Sequence, residues 1–334
     1  MRPNRSCFQP FGTLAQWLRG ALTVALIAVP LVATSQSYPS KPVRLIVAYA
    51  PGGAADPIAR LLGQKLQEAW GQAFVVENFP GAGGNIGMDM VAKAAPDGYT
   101  LGMVAASTVT INQSLYAKMP FDPEKDLVPV GLAAFDQIIL VANPSMPINS
   151  IKDLIDAARA KPGVLNYASG GAGSGGHLAM ELLKSMANID IVHIPFKGAG
   201  NSLPSLISGE VGITFTSAGS VLGLVQQGKL KAIATATKTR LPSMPNLPTV
   251  GETVPGYEVT GWYGVLAPAK TPQAIIDKLN AEINRIVQQP DSRARIEKMG
   301  LLPATGTPAD LAKIIHDDSI TWARVIKQAD IRLE

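Results

Sequence analysis

The sequence contains a single cysteine, Cys7, which lies in an N-terminal segment that we expect to be removed. The mature chain then has no thiol, and this excludes disulfides and cysteine catalysis. The three histidines, His177, His193 and His316, are widely spaced, so with no mature cysteine we expect no metal site. The acidic residues are too scattered to nominate a pair for general acid–base catalysis.

The sequence also has little that could cross a membrane. The apolar run Ala21 to Ala33 has about 13 residues, short of the roughly 18 to 20 that a membrane-spanning helix needs, and no later run is both long and uncharged. Three arginines precede this run and small residues follow it, a pattern typical of a secretory signal peptide. We therefore expect residues 1–36 to be a signal peptide, cleaved near Ser35 or Ser37, and the mature protein to be soluble in the periplasm.

The net charge of the chain is small. Lysine and arginine number 29, and aspartate and glutamate number 25. The predicted signal peptide holds three arginines and no acid, so the mature net charge falls from +4 to +1. No basic tract remains that would favour nucleic acid or an anionic membrane surface as a partner.

Apolar strand segments alternate with helical patterns along the rest of the chain. The predicted strands are Val43 to Tyr49, Phe74 to Glu77, Thr100 to Ala105, Gln137 to Val141, Ile189 to Ile194 and Val211 to Phe215. This alternation predicts an α/β protein with mostly parallel sheets flanked by helices. The proline-rich stretch Met119 to Pro129 interrupts the pattern, and we interpret it as an extended surface segment.

The mature chain would have about 300 residues. This is more than a typical single hydrophobic core contains, so we expect two lobes. The chain should cross between them at the strand Gln137 to Val141 and return at Thr260 to Ala267. This predicts a first lobe of residues 37–138 plus 260–334 and a second lobe of residues 139–259.

Two glycine-rich loops, Pro51 to Asp56 and Gly170 to Ser174, each follow a strand and precede a helix. Such loops expose backbone N–H groups to a ligand, because no Cβ blocks the approach and the first helical turn has unpaired donors. The positive end of the helix dipole makes both places favourable for an anion. Asp56 and Ser174 are each predicted to cap their helix; for Asp56 ligand contact is an equal alternative, and for Ser174 we favour contact.

Five ordered sequence blocks connect these loops to a known family. They are YAPGGAADPIAR at 49–60, VENFPGAGGNIG at 76–87, PDGYT at 96–100, HIPFKG at 193–198 and GWYGVLAP at 261–268. Together they closely resemble the Bug-type, or TctC-like, substrate-binding receptors associated with tripartite tricarboxylate transporters. The resemblance extends over essentially the whole mature chain.

The resemblance implies a two-lobed periplasmic binding protein that closes by hinge motion around a small organic carboxylate. The implied ligand-binding residues are Tyr49, Gly52, Gly53, Asp56, Ser107, Gly173, Ser174, His177 and Thr216. It implies transporter subunits of the inner membrane as partners, or a role in sensing, with no cofactor, no metal and no enzymatic activity. We expect a monomer.

Thr216 departs from the pattern of the family, in which an aspartate is common after the strand Val211 to Phe215. The exchange either reduces the repulsion of a second carboxylate in the cleft, or removes a group that positions an amine or a hydroxyl. The distal chemistry of the ligand therefore stays open.

A secreted serine hydrolase using Ser174 is the alternative function. The segment Ala172 to Gly176 approximates the G-x-S-x-G elbow, and His316 could follow as the base. However, His316 lies in a helical segment beside Asp317 and Asp318, where a solvated surface residue is the more frequent case. A motif without its structural context is a frequent false positive.

The segment Gly171 to Gly176 also satisfies the dinucleotide-binding pattern G-x-G-x-x-G, with Asp190 at the usual distance. A lone match of this kind is weak. An exported protein has little access to nicotinamide cofactors, and the family resemblance accounts for the same glycines.

Overall fold

The computed structural model describes residues 38–51, 53–196 and 199–331, and the described chain from Pro39 onwards forms one compact unit. The predicted signal peptide over residues 1–36 and the predicted site residue Gly52 lie outside the described residues.

Eleven strands in the described chain form two sheets. They are β1 Val43–Val47, β2 Phe74–Asn78, β3 Thr100–Ala105, β4 Leu127–Asp136, β5 Ile138–Ala142, β6 Asn166–Ser169, β7 Val192–Pro195, β8 Ile213–Ser217, β9 Lys231–Thr235, β10 Gly261–Pro268 and β11 Leu301–Pro303. The six-stranded sheet has the order β11-β4-β10-β3-β1-β2, and the five-stranded sheet has the order β7-β6-β8-β5-β9.

Helices flank both sheets. In chain order they are α1 Ala55–Trp70, α2 Asn85–Ala92, α3 Ala106–Thr110, α4 Asn112–Leu115, α5 Pro123–Asp126, α6 Ile151–Ala160, α7 Gly175–Ala187, α8 Ala199–Ser208, α9 Ala218–Gln226, α10 Gln273–Gln288, α11 Pro290–Lys298 and α12 Pro308–Gln328. Short 3-10 turns occur at Ala82–Gly84 and Val250–Glu252.

The α/β prediction with two lobes is confirmed, but both sheets are mixed rather than mostly parallel. β1 pairs in parallel with β2 and β3, and β6 pairs in parallel with β7 and β8. The remaining pairs, which involve β4, β5, β9, β10 and β11, are antiparallel. The antiparallel pairs centre on β4, β5 and β10, the strands at which the chain passes from one sheet to the other and returns.

The segment Met119 to Pro129, interpreted from its prolines as an extended surface stretch, is instead ordered structure. It contains α5 and the beginning of β4. Asp122 caps α5 by accepting hydrogen bonds from the backbone N–H groups of Glu124 and Lys125, and Pro123 occupies the first helical position. Proline at that position is compatible with a helix because its missing N–H would be unpaired there in any case.

Helix α12 contributes to two separate hydrophobic cores. Leu311 and Ile315, in its first half, pack in the core of the six-stranded sheet. Trp322, Val325 and Ile326, in its second half, pack in the core that covers one face of the five-stranded sheet. The helix therefore ties the two sheets together in addition to the two chain crossings.

A buried hydrogen bond attaches α12 to β10. Trp262 is 1% exposed, and its indole Nε1–H donates to Asp318 Oδ2 at 2.9 Å. Burial raises the pKa of the Asp318 carboxyl to about 6, the bond from Trp262 opposes this rise, and the charges of Asp317 and Glu258 add to it. The folded protein thus holds the ionised form of Asp318 at a cost.

We expect Asp318→Asn to stabilise the protein at pH 7.5 by about 3 kcal/mol and to have little effect near pH 4. The folded carboxyl has a pKa of about 6 and the unfolded one a value near 3.8, so the folded state binds more protons between these values. The free energy of unfolding of the wild type therefore falls as pH rises through this window. Asparagine keeps an oxygen that can accept from Trp262 but cannot ionise.

Urea unfolding of both proteins across pH 4 to 7.5 measures the difference. Asp156→Asn is the matched control, because Asp156 is exposed and pairs with Lys152 on the surface of α6. We expect the control to change stability by less than about 0.5 kcal/mol. A stability difference for Asp318→Asn that stays constant with pH would contradict the assignment.

Candidate ligand-binding site

A cavity of about 690 Å³ lies between the two sheets. It is lined by Gly53, Ala54, Pro57, Asp136, Ile138, Gly170, Ser174, Gly175, Gly176, Phe215, Thr216, Ser217, Gly219, Ser220, Tyr263 and Met299. Three of the residues predicted from the sequence, Gly53, Ser174 and Thr216, are brought together here. The other described ones do not line the cavity: Tyr49, Asp56, Ser107, Gly173 and His177.

The N-terminus of α7 supplies one side of the cavity. Ser174 caps this helix, as predicted, because its Oγ accepts the backbone N–H of His177 at 3.4 Å. The Ser174 hydroxyl hydrogen and the backbone N–H groups of Gly175 and Gly176 have no acceptor among the described residues. Three donors at the positive end of the helix dipole are therefore available at the cavity wall.

The N-terminus of α1 supplies the opposite side, but the predicted cap at Asp56 is wrong. The N-cap is Ala54, which has no capping side chain, and Asp56 lies inside the first turn. Its carboxylate accepts from Arg60 Nε at 3.0 Å, from Arg60 Nη2 at 2.9 Å and from Asn78 Nδ2 at 2.9 Å. Hydrogen bonding to Arg60 is the main reason that the pKa of Asp56 is lowered, against the effect of burial.

The consequence of this arrangement is an uncapped helix end. Arg60, one turn further along α1, holds the Asp56 carboxylate away from the backbone. The N–H groups of Ala55 and Asp56 have no acceptor within the described parts of the chain. Ala54, which directly precedes them, lines the cavity, so an anion bound there would lie at the open end of α1.

Gly173 and His177 fix the conformation of the second glycine loop. Gly173 has φ of 74°, and a Cβ there would lie 2.3 Å from Leu115 Cδ1. Its N–H donates to His177 Nδ1 at 2.9 Å, and the His177 ring stacks on His193 with centroids 3.9 Å apart. Burial lowers the pKa of His177 to about 3, helped by the charges of His193 and Lys184, so the ring is a neutral acceptor.

Tyr49 and Ser107 belong to a hydrogen-bonded network under the first glycine loop. The Tyr49 hydroxyl donates to Thr108 Oγ1 at 2.5 Å and accepts from the Ala105 N–H at 3.1 Å. Thr108 in turn donates to the Gly83 carbonyl at 2.7 Å, which fixes these directions. Burial raises the pKa of Tyr49, while bonds to Thr108, Ala105 and Ser107 oppose this.

Four polar residues at the cavity were missed by the sequence analysis: Asp136, Ser217, Ser220 and Tyr263. Ser217 Oγ donates to Asp136 Oδ1 at 2.7 Å. Burial raises the pKa of Asp136, and hydrogen bonds from Ser217 and from the backbone of Gln137 oppose this rise. The Tyr263 hydroxyl makes no hydrogen bond to a described residue, and burial, followed by the charge of Asp136, raises its pKa.

Backbone from the two sides meets at one edge of the cavity. Gly219 lies in the first turn of α9, next to the five-stranded sheet, and Gly300 immediately precedes β11 of the six-stranded sheet. A Cβ on Gly219 would lie 2.4 Å from the Met299 carbonyl oxygen and 2.8 Å from Gly300 Cα. No side chain larger than hydrogen fits between these segments in this arrangement.

A second, larger cavity of about 830 Å³ lies where the chain crosses between the sheets. Its lining includes Gln137, Thr260, Trp262 and Asp318, and Asp136 is shared with the smaller cavity. Its wall includes neither glycine loop and neither of the helix N-termini described above. The smaller cavity, with its convergent unpaired donors, is therefore the candidate site.

Comparison with known proteins agrees with this geometry. The profile of the family described as tripartite tricarboxylate transporter family receptor matches residues 58–331. The chain belongs to this family. The receptor is 34% identical over 315 residues to the protein BugT of Bordetella pertussis, covering 94% of this chain and 96% of BugT.

Solved structures of similar proteins contain small carboxylates. The receptor is 34% identical to Rpa4515 of R. palustris with adipate, with a TM-score of 0.77, covering 89% of this chain and 100% of that one. It is 32% identical to MatC of Rhodopseudomonas palustris with bound malate, with a TM-score of 0.73, covering 86% of this chain and 100% of that one. The family resemblance inferred from the sequence blocks is thus confirmed.

The serine hydrolase alternative finds no support. Ser174 Oγ bonds the backbone of His177, and the Nδ1 of that ring is occupied by the Gly173 N–H. His316 is exposed, and its Nδ1 lies 3.8 Å from Glu124 Oε1. Family membership places the chain among substrate-binding receptors rather than enzymes.

Membrane-spanning helices and metal-binding clusters are both absent from the described residues. No described helix combines the length and apolar character needed to cross a bilayer. Within the same residues, no group of three or more His, Cys, Asp or Glu side chains is placed to hold a metal ion.

Proposed function

We propose that this receptor captures a small organic carboxylate between its lobes in the periplasm, as a monomer, and presents it to transporter subunits of the inner membrane. The observation that carries the proposal is that two helix N-termini meet at one cavity, each with N–H groups that find no acceptor among the described residues. A carboxylate placed there would accept from both sides at once. No lysine, arginine or histidine lines the cavity among the described residues, so backbone donors would hold the anion.

The number of donors suits the affinity expected of a receptor. Hydrogen bonds to a charged group contribute about 1.5 to 3 kcal/mol each. Two N–H groups at α1 and two at α7 then supply the same order of free energy as the roughly 8 kcal/mol of a micromolar complex. The Ser174 hydroxyl adds a fifth donor.

The two lobes of the proposal follow the sheets. Residues 37–138 plus 260–334 would form the first lobe, which includes β1 to β4, β10 and β11, and residues 139–259 would form the second, which includes β6 to β9. Hinge closure would then bring the two glycine loops onto the ligand. The backbone contact between Gly219 and Gly300 would be the contact made on closure.

Similar proteins support the ligand class. Adipate and malate, present in two similar structures, are both small carboxylates. The glycine loops would recognise the carboxylate that such ligands share, and the side chains deeper in the cavity would distinguish among them.

A thermal-shift screen against a panel of organic acids tests the proposal. A ligand that binds only the folded state raises the melting temperature, by an amount equivalent to about 2.7 kcal/mol at a hundredfold excess over Kd. We expect at least one small carboxylate to do so, and neutral sugars and nucleotides to have no effect. Stabilisation by a neutral solute or a nucleotide with none by any carboxylate would contradict the proposal.

A further inference from the structure

Asp136 is the one charged side chain among the described residues that line the candidate site. It is the last residue of β4 and lies at the point where the chain leaves the six-stranded sheet. Its neighbour across the cavity wall is Ser217, the last residue of β8 in the other sheet. An acid built into a site that captures an anion needs an explanation in terms of the ligand.

The carboxylate of Asp136 is incompletely bonded. An ionised carboxylate offers about four acceptor positions. Ser217 Oγ and the Gln137 N–H use two of them, and no lysine, arginine or histidine pairs with Asp136 among the described residues. Burial without a cationic partner disfavours the charged form, in accord with the raised pKa of this group. A partner that donates hydrogen bonds or carries positive charge would relieve this cost.

We propose that Asp136 selects ligands that carry a hydrogen-bond donor, an ammonium or a hydroxyl group, in addition to the carboxylate held by the glycine loops. This inference rests on the proposed function. The donor group fills the open acceptor positions of Asp136, and an ammonium also supplies the missing positive charge. The Tyr263 hydroxyl, which has no hydrogen bond to a described residue, lines the same cavity and can bond the same polar end of the ligand.

The same carboxylate acts against a second carboxylate on the ligand. Two carboxylates in contact repel each other unless they share a proton, so a dicarboxylate binds here only with a penalty. The selected class is therefore amino acids and hydroxy acids of small size, in preference to dicarboxylates of the same length.

Calorimetric titration of wild type and Asp136→Asn with three matched series tests the selection. The series are short-chain carboxylic acids with an amino group, with a hydroxyl group or with a second carboxylate, at the 2-position or at the chain end. For the wild type we expect an amino or hydroxy acid to bind at least about tenfold more tightly than the matched dicarboxylate. For Asp136→Asn we expect about a tenfold loss for an ammonium ligand, a smaller loss for a hydroxyl ligand, and a gain for the dicarboxylate.

The losses of affinity in Asp136→Asn distinguish an ammonium ligand from a hydroxyl ligand. Asparagine retains an acceptor oxygen but no charge, so a hydroxyl ligand keeps most of its affinity while an ammonium ligand does not. Ser217→Ala is the second variant, because it removes the hydrogen bond to Asp136 and leaves the acid in place. We expect it to keep the preference for donor-bearing ligands, whether or not its overall affinity falls.

The outcomes separate this inference from the proposed function. If carboxylates bind both proteins and the preference between donor-bearing acids and dicarboxylates is the same in wild type and Asp136→Asn, the role of Asp136 is wrong and the receptor function stands. A wild type that prefers dicarboxylates also overturns the inference. If no carboxylate of any series binds either protein, both proposals fail.

Discussion

Gly53→Val is expected to weaken carboxylate binding by about 100-fold while leaving the melting temperature of the ligand-free protein unchanged. Gly53 lines the cavity, and a Cβ placed there meets no atom within 4 Å. The fold therefore accommodates a valine, and its methyl groups occupy space beside the uncapped end of α1. Loss of the two N–H contacts at that end, at about 1.5 kcal/mol or more each, corresponds to about two powers of ten in Kd.

The control is Gly223→Val on α9. A Cβ at Gly223 also meets no atom within 4 Å, its φ is likewise outside the left-handed region, and it does not line the cavity. We expect this variant to bind the best carboxylate of the screen with unchanged Kd. Titration calorimetry gives Kd, and thermal melting without ligand gives the stability of each variant. Equal affinity in Gly53→Val and wild type would exclude the end of α1 from the site.

Gly219→Val is expected to lower affinity by about 100-fold through a different mechanism. Its Cβ would lie 2.4 Å from the Met299 carbonyl oxygen, closer than nonbonded atoms approach, so the two lobes could not reach the contact seen in the structure. Overpacking of this kind costs about 1 to 3 kcal/mol. In the proposed hinge motion this strain arises only when the lobes close, so the apparent affinity would fall with the population of the closed state.

The unliganded protein should not share this strain, because the proposed open arrangement would lack the contact. We therefore expect the melting temperature of ligand-free Gly219→Val to match that of Gly223→Val, one turn further along the same helix. Small-angle X-ray scattering should show the wild type contracting on ligand addition and the Gly219→Val protein failing to contract. A Gly219→Val protein that melts far below the control without ligand would show that the contact is a fixed part of the fold.

The apolar pattern of the sequence predicted those strands that consist mainly of apolar residues. The strand Thr100–Ala105 was predicted to the residue. The short strand β6, Asn166–Ser169, was missed because it begins with a polar residue and depends on its neighbours. Asn166 Oδ1 accepts from the Gly212 N–H, and β6 lies between β7 and β8 in the sheet. Strands of this kind form through pairing rather than through their own propensity.

The part of the site formed by backbone N–H groups could be predicted from the sequence. The glycine loops could be found because close approach to N–H groups requires residues without a Cβ. The side chains that complete the cavity could not, since their proximity depends on sheet register across the whole fold. Asp136 and Ser217 are 81 residues apart in sequence yet share a hydrogen bond.

The wrong prediction of Asp56 as an N-cap shows that contacts of a side chain can also override a local rule. An acid before proline at the start of an amphipathic helix is a good N-cap by local rules. Arg60 and Asn78 compete for its carboxylate, and Asn78 comes from the neighbouring strand β2. Arg60, four residues along the same helix, and Asn78, from another strand, together hold the carboxylate, and the helix end is left without a side-chain cap.

The double attachment of α12 has a consequence for how the protein folds. Neither hydrophobic core is complete until this last helix has been synthesised, because Leu311 belongs to one core and Trp322 to the other. The strands β10 and β11 likewise return late in the sequence to a sheet begun by β1. Such long-range pairing delays native structure and makes its formation cooperative. Native packing of either core is therefore possible only once nearly the whole chain is available.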